Sequence, residues 1–155
     1  MTFFTIEENL KIIKHCLETP KRINTKSCFG MSALILLAST IDAIGMFYRN
    51  GDGKFAKIDV KHIKAQQLGS VNSHFKYYHA KFLSNNCDKK AFLVQFYHFA
   101  RCLGIHNGTL NPSIRITMNR NKKGKVIEQR RVNYFIYIVD LFDNVNDAYK
   151  TTTVP

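Results

Sequence analysis

The stretch that decides the fold is CFGMSALILLASTIDAIGMFYR, residues 28–49. Its apolar side chains surround nearly the whole circumference of a helix, so we expect a central, buried helix. Ser39, Thr40 and Asp42 interrupt the apolar run, which therefore stays shorter than the ~18–20 residues of a membrane-spanning helix. The turn sequence NGDG at residues 50–53 ends this helix. We predict a mainly α fold built around it.

Other segments also show helical periodicity. The first begins with Thr5 as its N-cap, because Glu8 follows at capping-box spacing, and ends before Pro20. Two more helices are predicted over about residues 72–83 and 89–107, the second of them capped by Asp88. The last segment, from residue 134 to the end, combines β propensity at 134–139 with apolar steps of three and four residues, and we predict a helix there.

The pattern changes between residues 113 and 131, where we predict a small β-hairpin before the last helix. Ile114, Ile116 and Met118 alternate with polar residues, NKKG at 121–124 forms the turn, and residues 125–131 return as the second strand. A basic ribbon of this kind suits a nucleic-acid backbone, although charged edges also keep a hairpin from aggregating. Its cations are Arg115, Arg120, Lys122, Lys123, Lys125, Arg130 and Arg131.

Composition places limits on the class of protein. The 155 residues fit a single domain, and the 23 Lys and Arg against 11 Asp and Glu give a net charge of +12. This charge favours a polyanionic partner, with nucleic acid ahead of a membrane surface. The first residues, MTFF, lack the basic start of a signal peptide, and the four cysteines contain no C-x-x-C pair. We expect a cytoplasmic protein with reduced thiols, no membrane association, no metal site and no cofactor.

Arg101 and His106 stand at the end of the predicted fourth helix and can carry chemistry. An arginine binds phosphate, and a histidine with a pKa of ~6.5 serves as general acid or base near neutral pH. Such a pair could cleave RNA without metal, by activating a 2′-hydroxyl for attack on the adjacent phosphate. We expect Asp42 to orient Arg101, and Asn107 to help end the helix so that both groups face one cleft. The structural alternative is an Arg101–Asp42 pair in the core.

The motif R-x-x-x-x-H at residues 101–106, late in a core helix, resembles that of the HEPN family (higher eukaryotes and prokaryotes nucleotide-binding domains). The similarity covers roughly residues 27–150 and includes Ala33–Gly45, HFK at 74–76, and FY at 96–97. It implies an up-and-down bundle of four or five helices, and a homodimer with a composite site. It also implies metal-independent endoribonuclease activity, in which Arg101 handles the phosphate and His106 is catalytic. Cys102 stands where that family commonly has Asn, Asp or His, so a non-catalytic RNA-binding or protein-binding module is the alternative.

Overall fold

The structure is a computed structural model that describes residues 3–18, 28–47, 71–94, 96–97 and 113–153. These residues are mostly helical and include one small sheet, as predicted for a mainly α protein. The elements, in chain order, are helices α1 (Phe3–Glu18), α2 (Cys28–Phe47), α3 (Val71–Tyr78) with a π-helical continuation (His79–Leu83), and α4 (Lys89–Ala91), strands β1 (Ile114–Thr117), β2 (Ile127–Arg130) and β3 (Asn133–Tyr137), and helix α5 (Ile138–Thr153).

Helix α2 is the centre of the fold, as its apolar sequence predicts. It packs against α1, α3, α5 and strand β1. Its polar side chains are accommodated because their hydroxyls donate to the preceding turn: Thr40 Oγ1 lies 2.8 Å from the Leu36 carbonyl oxygen, and Ser39 Oγ lies 3.2 Å from that of Ile35. Among the α2 side chains that the structure describes, the fully buried apolar ones are those of Ala33, Leu34, Leu37, Ala38, Ile41 and Ile44.

Helices α2 and α3 come into backbone contact at Gly45. A Cβ atom at this position would stand 2.1 Å from the carbonyl oxygen of His74. Only a residue without a side chain therefore allows the two helices to lie this close together. The close approach brings Asp42, one turn before Gly45, next to the His74 side chain.

One of the two predicted helix N-caps is confirmed and the other is wrong. Asp88 caps α4 as predicted, because its carboxylate accepts a hydrogen bond of 3.0 Å from the Ala91 backbone N–H. Thr5 is not an N-cap, since it lies inside α1, which is helical from Phe3. Beyond α4, residues 92–94 and 96–97 continue with π-helical hydrogen bonding. The predicted turn at 50–53 and the predicted helical residues 98–107 lie outside the described residues.

The sheet differs from the predicted hairpin. Its strand order is β1-β3-β2, with β1 parallel and β2 antiparallel to β3, so β1 and β2 are not paired with each other. Residues 133–137 form the central strand, and the last helix starts only at Ile138. The β propensity of this aromatic and β-branched run prevails because β3 provides hydrogen-bond partners for both other strands. The inner face presents Ile114, Ile127 and Ile136 to the core.

Candidate nucleic-acid interface

The outer face of the sheet carries polar, charged and aromatic side chains. The register places Arg115, Phe135 and Glu128 in one row across the three strands. Thr117 and Tyr137 form the next row along β1 and β3. Because successive side chains of a strand point to opposite faces, these residues lie on the side away from the buried isoleucines.

A rigid turn at one end of this face presents lysines to solvent. The side-chain oxygen of Asn121 accepts hydrogen bonds from the backbone N–H groups of Lys123 (2.8 Å) and Lys125 (3.2 Å). Gly124 has φ +69°, a conformation that favours glycine, and its N–H donates to the Asn121 carbonyl oxygen at 3.1 Å. The predicted turn at 121–124 is thus confirmed, and we call residues 121–125 the lysine turn. The side chains of Lys122, Lys123 and Lys125 are exposed.

The lysine turn is joined to the sheet through Glu128. Its Oε2 accepts hydrogen bonds from Asn121 Nδ2 (2.6 Å) and the Tyr137 hydroxyl (3.2 Å), and its Oε1 accepts one from Arg130 Nε (3.2 Å). These bonds, the one from Arg130 first, lower the pKa of Glu128, and the same contact raises the pKa of Arg130. The Arg130 guanidinium also lies 5.5 Å from the centre of the Phe135 ring. The outer face therefore has a preorganised polar centre.

Arg120 connects this surface to helix α5. Its guanidinium binds the Asp143 carboxylate and lies 4.0 Å from that of Asp140. The contact with Asp143 raises the pKa of Arg120. The adjacent Asn121 N–H donates to Asp140 at 2.8 Å, so both residues hold the start of the lysine turn against α5. Arg120 therefore anchors the turn and is already compensated by carboxylates.

The seven cations of the predicted basic ribbon are all described and exposed, and they fall into two groups. Arg120 and Arg130 form ion pairs with carboxylates. Within the described ranges, no such pair is formed by Arg115, Lys122, Lys123, Lys125 or Arg131. No carboxylate of the described residues therefore neutralises the charge of these five side chains, which is the arrangement expected where a polyanion binds.

Arg131 occupies a special position in this group. It lies in the two-residue connection between β2 and β3, because Arg130 and Asn133 are register partners. Its φ of +57° is in the left-handed region, which residues other than glycine adopt at a cost of about 1–2 kcal/mol. Val132, beside it, is 78% exposed. The tip of the β2–β3 hairpin therefore projects into solvent and contains an arginine with a strained backbone. Sequence periodicity did not indicate this turn.

Of the other predicted site residues, only Asp42 is described; Arg101, His106 and Asn107 lie outside the described residues. Asp42 Oδ1 is 2.7 Å from His74 Nδ1, and the His74 side chain is 9% exposed. The sequence contained the signal for such a contact, because a carboxylate in an apolar helix needs a partner. It did not distinguish His74 from Arg101 as that partner. The predicted role of Asp42 in orienting Arg101 stays a prediction.

His79 is a buried histidine with structural partners. His79 Nε2 lies 2.7 Å from the Cys87 carbonyl oxygen, and its ring packs against Phe92 with centroids 5.6 Å apart. Across the ranges that the structure describes, no three His, Cys, Asp or Glu side chains are grouped to hold a metal ion. No helix among those residues is long and apolar enough to cross a membrane.

Comparisons with family models, curated proteins and solved structures give no match.

Proposed function

We propose that this protein binds RNA through the outer face of its sheet and the lysine turn. The observation that carries the proposal is a set of exposed cations that form no ion pair with the described carboxylates. Among them, Arg115 is the register partner of Phe135, and Lys122 and Lys123 line one groove with this partly exposed residue. Lysine and arginine neutralise backbone phosphates, and aromatic or guanidinium planes stack on unpaired bases. Because hydrogen bonds to Asn121 already hold the lysine turn in one conformation, its binding to RNA does not include the entropic cost of ordering a loop.

The test compares two double variants that remove the same charge. Lys122→Gln with Lys123→Gln removes two cations that form no ion pair with a described carboxylate, whereas Lys11→Gln with Lys14→Gln removes two that pair with Glu7, Glu8 and Glu18. The measurement is the affinity for a labelled single-stranded RNA at several salt concentrations, by fluorescence anisotropy. For single strands, the slope of log K against log salt changes by about 0.7 per phosphate contact.

The two variants have different expected results. The Lys122/Lys123 variant loses up to about 1.4 from the magnitude of the slope and binds more weakly at low salt, while the Lys11/Lys14 variant resembles the wild type. Equal losses in both variants would mean that net charge alone attracts RNA. A wild-type protein that binds no RNA at low salt would refute the proposal.

A second candidate function, RNA cleavage, is favoured by the motif R-x-x-x-x-H at residues 101–106. In this proposal a homodimer of HEPN-like domains forms a composite cleft, where Arg101 stabilises the phosphate and His106 transfers the proton. RNA is incubated in EDTA with the wild type and with His106→Ala, and the products are examined for 2′,3′-cyclic phosphate ends. Cleavage by the wild type alone supports this role. Equal cleavage by both proteins would exclude His106, and binding without cleavage favours the non-catalytic alternative, in line with Cys102.

A further inference from the structure

A groove of about 580 Å³ lies between the lysine turn and the outer face of the sheet. This volume is within the range of about 300–1,000 Å³ that small-molecule sites occupy. Four cations line the groove, and two of them, Arg120 and Arg130, pair with carboxylates. Among the described residues, Lys122 and Lys123 have no such partner, so the groove has an excess of two positive charges.

The guanidinium of Arg130 is held in one position at this groove. Its Nε donates to Glu128 Oε1 at 3.2 Å, and its Nη2 donates to the Tyr137 hydroxyl oxygen at 3.1 Å. The Tyr137 hydroxyl in turn donates to Glu128 Oε2 at 3.2 Å, so the two acceptors lie side by side along one edge of the guanidinium. The central carbon, Cζ, is 5.5 Å from the centre of the Phe135 ring, which also lines the groove. The protein therefore fixes one edge and one face of this group.

A second edge of the same guanidinium can bind a ligand. A guanidinium has five N–H donors. The bonds to Glu128 and Tyr137 use one donor at Nε and one at Nη2, and no hydrogen bond between described residues uses Nη1. Nη1 and the second N–H of Nη2 form a fork of the kind that donates to two oxygens of one phosphate. The Arg130 side chain is 61% exposed, so this fork is accessible from solvent.

We propose that the groove binds a phosphate monoester at the end of an RNA strand, with Arg130 as its bidentate donor. The proposal rests on the RNA-binding function above and adds the part of the RNA that is bound. A phosphate monoester carries a charge of about −1.5 to −2 at neutral pH and has three terminal oxygens. Two of these oxygens accept from the Arg130 fork, and the third remains for Lys122 or Lys123. A phosphodiester inside the strand has a single charge and lacks the third oxygen.

The experiment is a competition assay on the full chain. Unlabelled versions of one short 2′-fluoro oligouridylate, which cannot be cleaved through a 2′-hydroxyl, displace a labelled one, and displacement is followed by fluorescence anisotropy. The versions differ only in their ends, which carry hydroxyl groups, a phosphate at the 5′ or the 3′ end, or a methylphosphate at the 5′ or the 3′ end. Because the new hydrogen bonds join charged groups, a terminal phosphate should raise the affinity about tenfold or more. The methylphosphate, a diester, should give only a small part of this gain.

Two variants with unchanged net charge test the role of Arg130. Arg130→Lys keeps the charge but removes the planar fork, so it should lose most of the gain from a terminal phosphate. Arg115→Lys makes the same change on the outer face, at a residue that is not among those lining the groove. Whatever its effect on overall affinity, Arg115→Lys should keep the ratio between the phosphorylated and the unphosphorylated oligonucleotide. Thermal unfolding by circular dichroism verifies that both variants are folded.

The outcomes separate this proposal from the RNA-binding function. A gain at one end of the strand that Arg130→Lys loses supports the site and identifies that end as the ligand. If the oligouridylate binds and a terminal phosphate adds nothing, or adds no more than a methylphosphate, the monoester site is refuted and RNA binding stands. If Arg130→Lys is folded and keeps the full gain, the assignment to Arg130 is refuted. If no version binds at low salt, the proposed function fails together with the monoester site.

Discussion

Replacement of Gly45 by alanine should strongly destabilise this protein. The added Cβ would lie 2.1 Å from the carbonyl oxygen of His74 and 2.7 Å from its carbonyl carbon. Both are backbone atoms that cannot rotate away, and ordinary van der Waals contact begins at 3.4 Å. Helix α3 must therefore move away from α2 by roughly 1 Å, a displacement that a close-packed interior resists. The same movement separates Asp42 from His74, whose polar atoms are now 2.7 Å apart.

The expected change in the free energy of unfolding is the sum of three contributions, one stabilising and two destabilising. Alanine in place of glycine within a helix gains about 1 kcal/mol. Overpacking costs about 1–3 kcal/mol, and loss of a partly buried hydrogen bond between charged or polar groups costs about 1–3 kcal/mol. The net result is a loss of about 3 kcal/mol, which corresponds to a decrease in Tm of about 6–12 °C for a chain of this length.

Gly30→Ala, in the same helix, is the matched control. Its Cβ would meet Ile116 Cγ2 at 3.5 Å, which is ordinary contact, so the helix propensity of alanine should stabilise by about 0.5–1 kcal/mol. Urea unfolding followed by circular dichroism gives both free energies of unfolding. The reasoning is refuted if Gly45→Ala lies within about 0.5 kcal/mol of the wild type, or if both variants change stability equally.

Three further predictions concern hydrogen bonding and ionisation. Tyr78→Phe leaves the side-chain oxygen of Asn144 without its 2.7 Å donor and should cost about 1–2 kcal/mol in urea unfolding; an unchanged midpoint would contradict this. Burial raises the pKa of the Cys87 thiol to about 12, so iodoacetamide should leave Cys87 unmodified until urea unfolds the chain, as peptide mass spectrometry would verify. Hydrogen bonds lower the pKa of Glu128, so the stability it contributes is complete above about pH 4.5 and is lost as the pH falls through the folded-state pKa. The Tm difference between the wild type and Glu128→Gln should therefore be constant above about pH 5.5 and disappear in acid; a difference that persists in acid would contradict the role of Glu128.

Predictions from the sequence succeeded where a local signal is strong. The apolar run of residues 28–47 specified a central helix, because only complete burial removes so much apolar surface from water. Asp88 specified the start of α4, and NKKG specified the turn at 121–124, because capping and turn geometry depend on a few consecutive residues. The seven cations of the basic ribbon were likewise evident from the sequence.

Predictions failed where two signals compete, and contacts between residues distant in sequence were not predicted. Residues 134–137 fit both a strand and the first turn of a helix, and only pairing with β1 and β2 decides for the strand. Capping-box spacing at Thr5 had no effect, because α1 already includes Phe3. His74 as the partner of Asp42 depends on how α2 and α3 cross, which no local pattern encodes.

By itself, the sequence determined a mainly α protein with a buried central helix, a lysine-rich turn and a strong positive charge. Only the tertiary structure decided that β3 inserts between β1 and β2. It also decided that, among the described residues, Arg120 and Arg130 have carboxylate partners while Arg115, Lys122 and Lys123 have none. The physical reason is the range of the interactions. Helix periodicity and turn chemistry act between neighbours in the chain, whereas strand pairing and ion pairing depend on which distant segments the packed core brings together.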